Sequence, residues 1–215
     1  MMKNGKPRHF EHAPWNKRET RVLQSLNTPE SVQAFLDRMP YNTELTCRSP
    51  RRVIRDKKAN CMEGAIFAAA CLELHEYNPS MVYFFAVRDD GHAITLYKRN
   101  GKYGSVAKSN FTGLRYRSSI YRSVREVVIS YFEHHFNLKK ELTMREYTQP
   151  LYLRESLFPD WKTREEDLFD ISDHFDRLRT YSIITPSDTK FLRLVDNQLY
   201  KAGLLGADRK GLYQI

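Results

Sequence analysis

The sequence contains few cysteines and no long apolar run. Its 215 residues include three cysteines, Cys47, Cys61 and Cys71, without a CxxC pair, which argues against a disulfide framework and a cysteine-built zinc site. The longest apolar stretches, Ala65–Leu72 and Met81–Val87, fall well short of the roughly 20 residues that cross a bilayer. No apolar segment of a secretory signal follows the N-terminal MMKNGKPRHF. We therefore expect a cytoplasmic protein with reduced thiols and no membrane association.

Glycine and proline are also scarce, at nine residues each, whereas 41% of the residues are hydrophobic and 13% are aromatic. This composition excludes a disordered chain, because it supplies enough apolar surface to build a core. Lys and Arg together number 35 against 26 Asp and Glu, which gives a formal net charge of +9. This positive net charge is compatible with acidic binding partners. We predict three regions: a basic N-terminal arm (1–27), a core (28–150) and a helical C-terminal extension (151–215).

The middle of the chain predicts a buried helix followed by antiparallel strands. Thr28 and Pro29 signal a helix start, and Ser49-Pro50 a turn or short helix. The segment 61–74 is apolar on all faces and rich in alanine, which is typical of a fully buried helix. The segments 80–87, 92–98 and 102–108 predict three strands, joined by turns at 89–91 and at 100–101.

Further helices are expected downstream. Apolar spacings predict a helix from Ser119 to Phe136. After Pro150, one helix is expected near Thr163, and another is expected after Asp188, with a stop at Gly203.

Cys61 and His92 are the residues that could carry chemistry. Cys61 opens the buried helix, where backbone N–H groups and the helix dipole favour a thiolate. His92 opens a strand 31 residues later, directly after a turn. A cysteine and a histidine in this arrangement can form a nucleophile and a general base. On residue type and spacing alone, a packing role is the preferred interpretation, since a lone cysteine is usually an inert core residue.

A family resemblance favours the catalytic reading. The run from Asn60 to Ala65, followed by Gly91-His92-Ala93 and by Gly101-Lys102-Tyr103-Gly104, resembles the transglutaminase-like superfamily, closest to a poorly characterised bacterial branch. The resemblance covers residues 28–150. It implies an α+β fold of the papain and transglutaminase-like type, with the nucleophile helix packed on an antiparallel sheet. It also implies thiol chemistry on the acyl groups of peptides or other amides, without metal or organic cofactor.

The third catalytic position departs from the family pattern. The acid of the family would fall near Ala107, and no Asp or Glu lies between Gly91 and Arg125. The group that orients His92 should therefore be neutral, with Asn110 as the first candidate and Ser105 or Ser109 behind it. A neutral partner stabilises the imidazolium less, so activity is expected to be weakened or lost. Nearby polar residues are interpreted as structural: Asn60 as a helix cap, Glu63 as a network residue, and Asp89 and Asp90 as turn formers.

The sequence also bears on two other kinds of site, a metal site and a nucleic-acid-binding surface. His9 with His12, and His134 with His135, lack the spacing of a metal site. Residues 98–125 hold eight basic residues and no acid, interleaved with aromatic residues, a pattern compatible with nucleic acid or an acidic protein as an alternative partner. A solvated or internally paired surface is the preferred interpretation. The segment 155–176, with eight acids, could neutralise that surface within the fold. The oligomeric state is left open.

Overall fold

The computed structural model describes residues 15–214. Within them, seven α-helices and a six-stranded sheet form an α+β fold. The helices are α1 (Lys17–Ser25), α2 (Pro29–Asp37), α3 (Pro50–Asp56), α4 (Cys61–Leu74), α5 (Val124–Ile129), α6 (Phe169–Phe175) and α7 (Asn197–Gly203). The strands are β1 (Ser80–Ala86), β2 (His92–Arg99), β3 (Lys102–Val106), β4 (Arg117–Tyr121), β5 (Met144–Thr148) and β6 (Thr180–Ser182).

The sheet has the strand order β4-β3-β2-β1-β5-β6, and every neighbouring pair is antiparallel. The expected meander β1-β2-β3 forms its centre. Asn100 and Gly101 connect β2 to β3 with φ of 52° and 74°, the left-handed values that a two-residue hairpin turn requires and that Asn-Gly tolerates. These local signals place His92 at the first residue of a central strand.

Helix α4 lies against one face of the sheet, as expected of a helix that is apolar on all sides. Twelve of its fourteen residues are buried. The Thr95 hydroxyl of β2 donates to the Ala65 carbonyl at 2.6 Å, which joins helix to strand. At Gly64 a Cβ atom would overlap the Cβ of Lys108, so only glycine permits this close approach. The start of α4 and the start of β2 consequently lie at the same end of the core.

The C-terminal region is integrated with this core. Trp161, Leu168 and Ile171 are buried in one cluster with Ala65 and Met81, and β6 extends the sheet beside β5. The region 151–215 was expected as a helical extension, and it contains α6 and α7 together with a strand and irregular segments.

Two sequence-based predictions are corrected. The single helix from Ser119 to Phe136 is instead strand β4, helix α5 capped by Ser123, and a short 3-10 helix; β4 pairs along β3, and this tertiary pairing outweighs the helical spacing. The arm 1–27 is described only from residue 15, and there it forms α1, with Leu23 and Leu26 buried in the core.

Candidate active site

The first turn of α4 is fixed by a reciprocal cap. The Asn60 side chain accepts from the Glu63 backbone N–H at 2.9 Å, and the Glu63 carboxylate accepts from the Asn60 backbone N–H at 2.9 Å. Both residues thus have the structural roles expected of them. A parallel bridge between Tyr41 and Ala59 brings Tyr41 beside this turn.

Cys61, His92 and Asn110 line one small cavity at the end where α4 and β2 begin. Its volume is about 40 Å³, enough for one or two water molecules. An open groove of about 380 Å³ adjoins it, and five residues line both spaces: Tyr41, Cys61, Asp90, Gly91 and Gly211. The three residues predicted from the sequence are therefore brought together, with Cys61 where the groove meets the cavity.

The His92 ring is held by a backbone carbonyl. Its Nε2 lies 2.9 Å from the Leu114 oxygen, and the ring packs between Phe84 and Tyr131 with 3% of the residue exposed. Burial, with a smaller contribution from nearby His135, lowers the pKa of His92 to about 3. The imidazole is therefore neutral at pH 7.

The sulfur of Cys61 is in its thiol form in this conformation. Burial raises the pKa of the Cys61 thiol, and the Asp90 carboxylate adds to the rise, whereas the Ala93 backbone N–H and the Tyr41 hydroxyl oppose it. We expected the helix N-terminus to hold a thiolate, and the direction is the reverse, because desolvation of the sulfur is the largest effect. Lys58, which could have added positive field, pairs with Glu44 at 2.6 Å.

Asn110 does not contact the His92 ring through its hydrogen bonds. Its Nδ2 donates to the Asp208 and Gly211 carbonyls at 2.7 and 3.1 Å, and its Oδ1 accepts from the Asp208 backbone N–H at 2.8 Å. The orienting contact expected from Asn110 is made by the Leu114 carbonyl instead. The two fallback candidates also bond elsewhere: Ser105 to the Tyr131 hydroxyl, and Ser109 to the Phe111 N–H.

Two further cavity residues, Asp89 and His135, and the Thr143 hydroxyl that joins them were not identified as a group from the sequence. His135 Nδ1 lies 2.9 Å from the Thr143 hydroxyl, which donates to the Asp89 carboxylate at 2.7 Å. Burial raises the pKa of Asp89 to about 6 and lowers the pKa of His135 to about 4. Asp89 therefore does more than form a turn. A histidine that follows another histidine between Phe132 and Phe136 carries no signal of such a network, because its partners come from distant segments.

The basic residues of segment 98–125 largely have partners inside the fold. Arg99 pairs with Glu30 at 2.7 Å, Arg117 stacks on Tyr131, and the buried Lys108 donates to the Leu36 and Met39 carbonyls. The acidic segment does not neutralise this surface. Its Glu165 and Asp167 pair with Arg55 and Arg52 of α3. Little of the basic run is thus free for phosphate contacts.

Within residues 15–214, no group of three or more His, Cys, Asp or Glu is arranged to hold a metal ion. His9 and His12 lie outside the described residues. No helix in the described part combines the length and the apolar character that a membrane span requires.

Comparison with protein-family models and with characterised proteins finds no match. Among solved structures, the chain is similar to LapG of Legionella pneumophila. For calcium-bound LapG the identity is 16% and the TM-score 0.35, over 42% of this chain and 59% of LapG. For EGTA-treated LapG the identity is 12% and the TM-score 0.39, over 75% and 87%. The chain thus spans somewhat over half of the calcium-bound LapG structure. These values assign no activity and no site residues.

Proposed function

We propose that the protein is a cysteine-dependent enzyme of the transglutaminase-like type, which transfers an acyl group to water or to an amine. The tautomer of His92 carries this proposal. A backbone carbonyl only accepts hydrogen bonds, so the contact with Leu114 requires the proton on Nε2. In the neutral ring Nδ1 then holds a free electron pair. Nδ1 is then the basic nitrogen available to the Cys61 thiol, which lines the same cavity.

The reaction begins with proton transfer from the Cys61 thiol to His92 Nδ1 as the sulfur attacks the acyl carbon. The backbone N–H of Cys61, at the positive end of α4, stabilises the oxyanion. His92 then donates the proton to the leaving amine, and the C–N bond breaks to give a thioester. Water or an amine attacks the thioester, His92 takes its proton, and the sulfur leaves with that proton as a thiol.

The neutral orienting group sets the expected strength of catalysis. The Leu114 carbonyl fixes the ring through a dipole, whereas a carboxylate would also stabilise the imidazolium with a full charge. The cavity residues Asp89 and His135 pair with one another through Thr143. We therefore expect slow turnover on activated acyl groups and slower turnover on amides.

The experiment is acylation by p-nitrophenyl acetate, a donor small enough for a narrow site. We expect an acetyl group on Cys61, located by peptide mass spectrometry, with release of one p-nitrophenolate per protein. His92→Gln removes the base, and we expect the acylation rate to fall about 100-fold.

Matched controls separate chemistry from accessibility. Cys61→Ala should abolish the labelling, whereas His174→Gln, on α6, should leave the rate unchanged. Acetylation of Cys61 at equal rates in His92→Gln and in the unaltered protein would disprove the role of His92. Absence of acetyl-Cys61 together with absence of p-nitrophenolate release would remove the enzyme assignment.

A further inference from the structure

A segment near the C-terminus lies against Cys61. Asp208 to Leu212 forms a short 3-10 turn over Arg209–Gly211, entered and left in extended backbone. Gly211 is one of the five residues that line both the cavity and the groove, together with Cys61 and Tyr41. The turn therefore stands at the point where a substrate would approach the sulfur.

The turn is held by one buried side chain. The Asn110 amide, with 6% of the residue exposed, bonds to both ends of the turn: to the Asp208 backbone N–H and carbonyl, and to the Gly211 carbonyl. All three partners are main-chain groups. Asn110 thus recognises the backbone conformation of the turn and not the side chains of its residues.

The turn has little room for a side chain at Gly211. A Cβ atom on Gly211 would lie 3.0 Å from Thr43 Cγ2 and 3.0 Å from Tyr41 Cδ1. These separations are shorter than ordinary van der Waals contact. The hydroxyl of Tyr41 contacts the Cys61 sulfur, so the glycine packs against the residue that borders the nucleophile. A larger side chain at this position would have to displace the Tyr41 ring.

We propose that the surface formed by Asn110, Thr43 and Tyr41, at the edge of the groove beside Cys61, is a binding site for peptide turns that carry glycine next to Tyr41, and that residues 208–212 occupy it. Asn110 is the positioning residue for the bound turn. While this segment is bound, it forms one wall beside the partly exposed Cys61 and narrows the approach to the sulfur, and an external peptide must replace it. The proposal rests on the proposed function only in treating the bound peptide as an acyl donor.

Alkylation of Cys61 by limiting iodoacetamide tests occupancy without requiring catalysis. In full-length Gly211→Phe the turn no longer fits, and we expect Cys61 to react at least about 10-fold faster. Asn110→Ala, which removes the clamp, should accelerate the reaction in the same direction. The control Thr112→Val removes another hydrogen bond to the C-terminal region, from Thr112 to the Ala202 carbonyl, away from the groove, and should leave the rate unchanged.

The buried Cys47 and Cys71 report unfolding in the same samples. Their alkylation rates must stay at the level of the unaltered protein. If Gly211→Phe unfolds, Gly211→Val offers a smaller change at the same position.

A peptide added in trans tests the glycine requirement. The peptide ADRKGLYQ, copied from residues 207–214, should slow alkylation of Cys61 in Gly211→Phe, and the same peptide with valine for glycine should not. Neither should protect Asn110→Ala. Equal protection by both peptides would overturn the glycine specificity, and unchanged alkylation in both Gly211→Phe and Asn110→Ala would overturn occupancy. Either result leaves the acetylation test of Cys61 and His92 intact.

Discussion

Glu63 and Cys61 lie in the same turn of α4 and have opposite surroundings. The Glu63 carboxylate is fully buried and accepts hydrogen bonds from several groups. They are the Asn42 amide, the Thr46 hydroxyl, the Asn60 backbone N–H, and the backbone and guanidinium of Arg48. Arg48 also pairs with Glu44 and Asp56.

In the cavity, His92 and His135 are buried, whereas Cys61 and Asp89 are partly exposed, and none of the four pairs directly with an arginine or lysine of residues 15–214. Burial raises the pKa values of Cys61 and Asp89 and lowers those of His92 and His135. A charge with a complete set of partners holds the loop 42–48 to the helix, whereas desolvation holds the cavity groups in their neutral forms. The same desolvation makes His92 a weak base, which agrees with the slow turnover that we expect.

The largest effect is expected from breaking the Glu63 network. Glu63→Ala leaves the Arg48 guanidinium buried without one of its carboxylates, and we expect a loss of about 3–5 kcal/mol in the free energy of unfolding. Urea denaturation measures it. The control Glu44→Ala removes the exposed partner of the same arginine, and it should cost much less because solvent screens an exposed ion pair. Equal losses in the two variants would refute the contrast.

Lowering the pH should reduce the stability of the fold through the buried histidines of the cavity. The pKa values of His92 and His135, about 3 and about 4, lie below their ordinary value of 6.5. The unfolded chain binds these protons first, so stability is complete above pH 6.5 and falls as the pH decreases. Asp89, with its pKa raised to about 6, has the opposite sign and offsets one histidine between about pH 6 and pH 4.

These three groups together predict a loss of about 1.4 kcal/mol per pH unit between pH 6 and pH 4. Urea denaturation at pH 7, 6, 5 and 4 measures the slope. In His135→Gln the remaining histidine and Asp89 cancel, so the slope should become nearly flat. A variant with the same slope as the unaltered protein would show that His135 is not held neutral.

A smaller loss of stability is expected when the Thr143 hydroxyl, which bridges His135 and Asp89, is removed. Thr143→Val keeps the shape of the side chain and leaves His135 and Asp89 without their shared partner, at a cost of about 1–3 kcal/mol. Thermal unfolding at pH 7 measures it. The control Thr189→Val removes a hydroxyl that donates only to the Pro186 carbonyl in an exposed segment, and it should be neutral.

The smallest effect concerns the sulfur itself. The Tyr41 hydroxyl opposes the raised pKa of the Cys61 thiol, so Tyr41→Phe should raise that pKa further. The pH dependence of Cys61 alkylation reports it. A fall in the apparent pKa would mean that the hydroxyl does not donate to the sulfur.

Local chemistry made much of this architecture predictable. Thr28-Pro29, Ser49-Pro50 and Asn60 start helices where their side chains cap the first turn, and Asn100-Gly101 forms its hairpin. The position of Cys61 opposite a strand that begins at His92 follows from the same signals and from the family resemblance.

The remaining features depend on contacts between distant segments. Strand β4 was read as helix because its identity comes from pairing with β3. The orienting group at Leu114 is a backbone carbonyl, which every residue possesses, so no side chain could identify it. The elevated pKa of the sulfur likewise depends on what covers it, and helix position alone predicted the opposite direction.

The Gly211 turn also has a consequence for oxidative chemistry. Hydrogen peroxide reacts with thiolates far faster than with thiols. Because the sulfur beneath the turn is protonated, we expect the resting protein to resist formation of sulfenic acid at position 61. Displacement of the turn would then make the sulfur more accessible both to substrates and to oxidants.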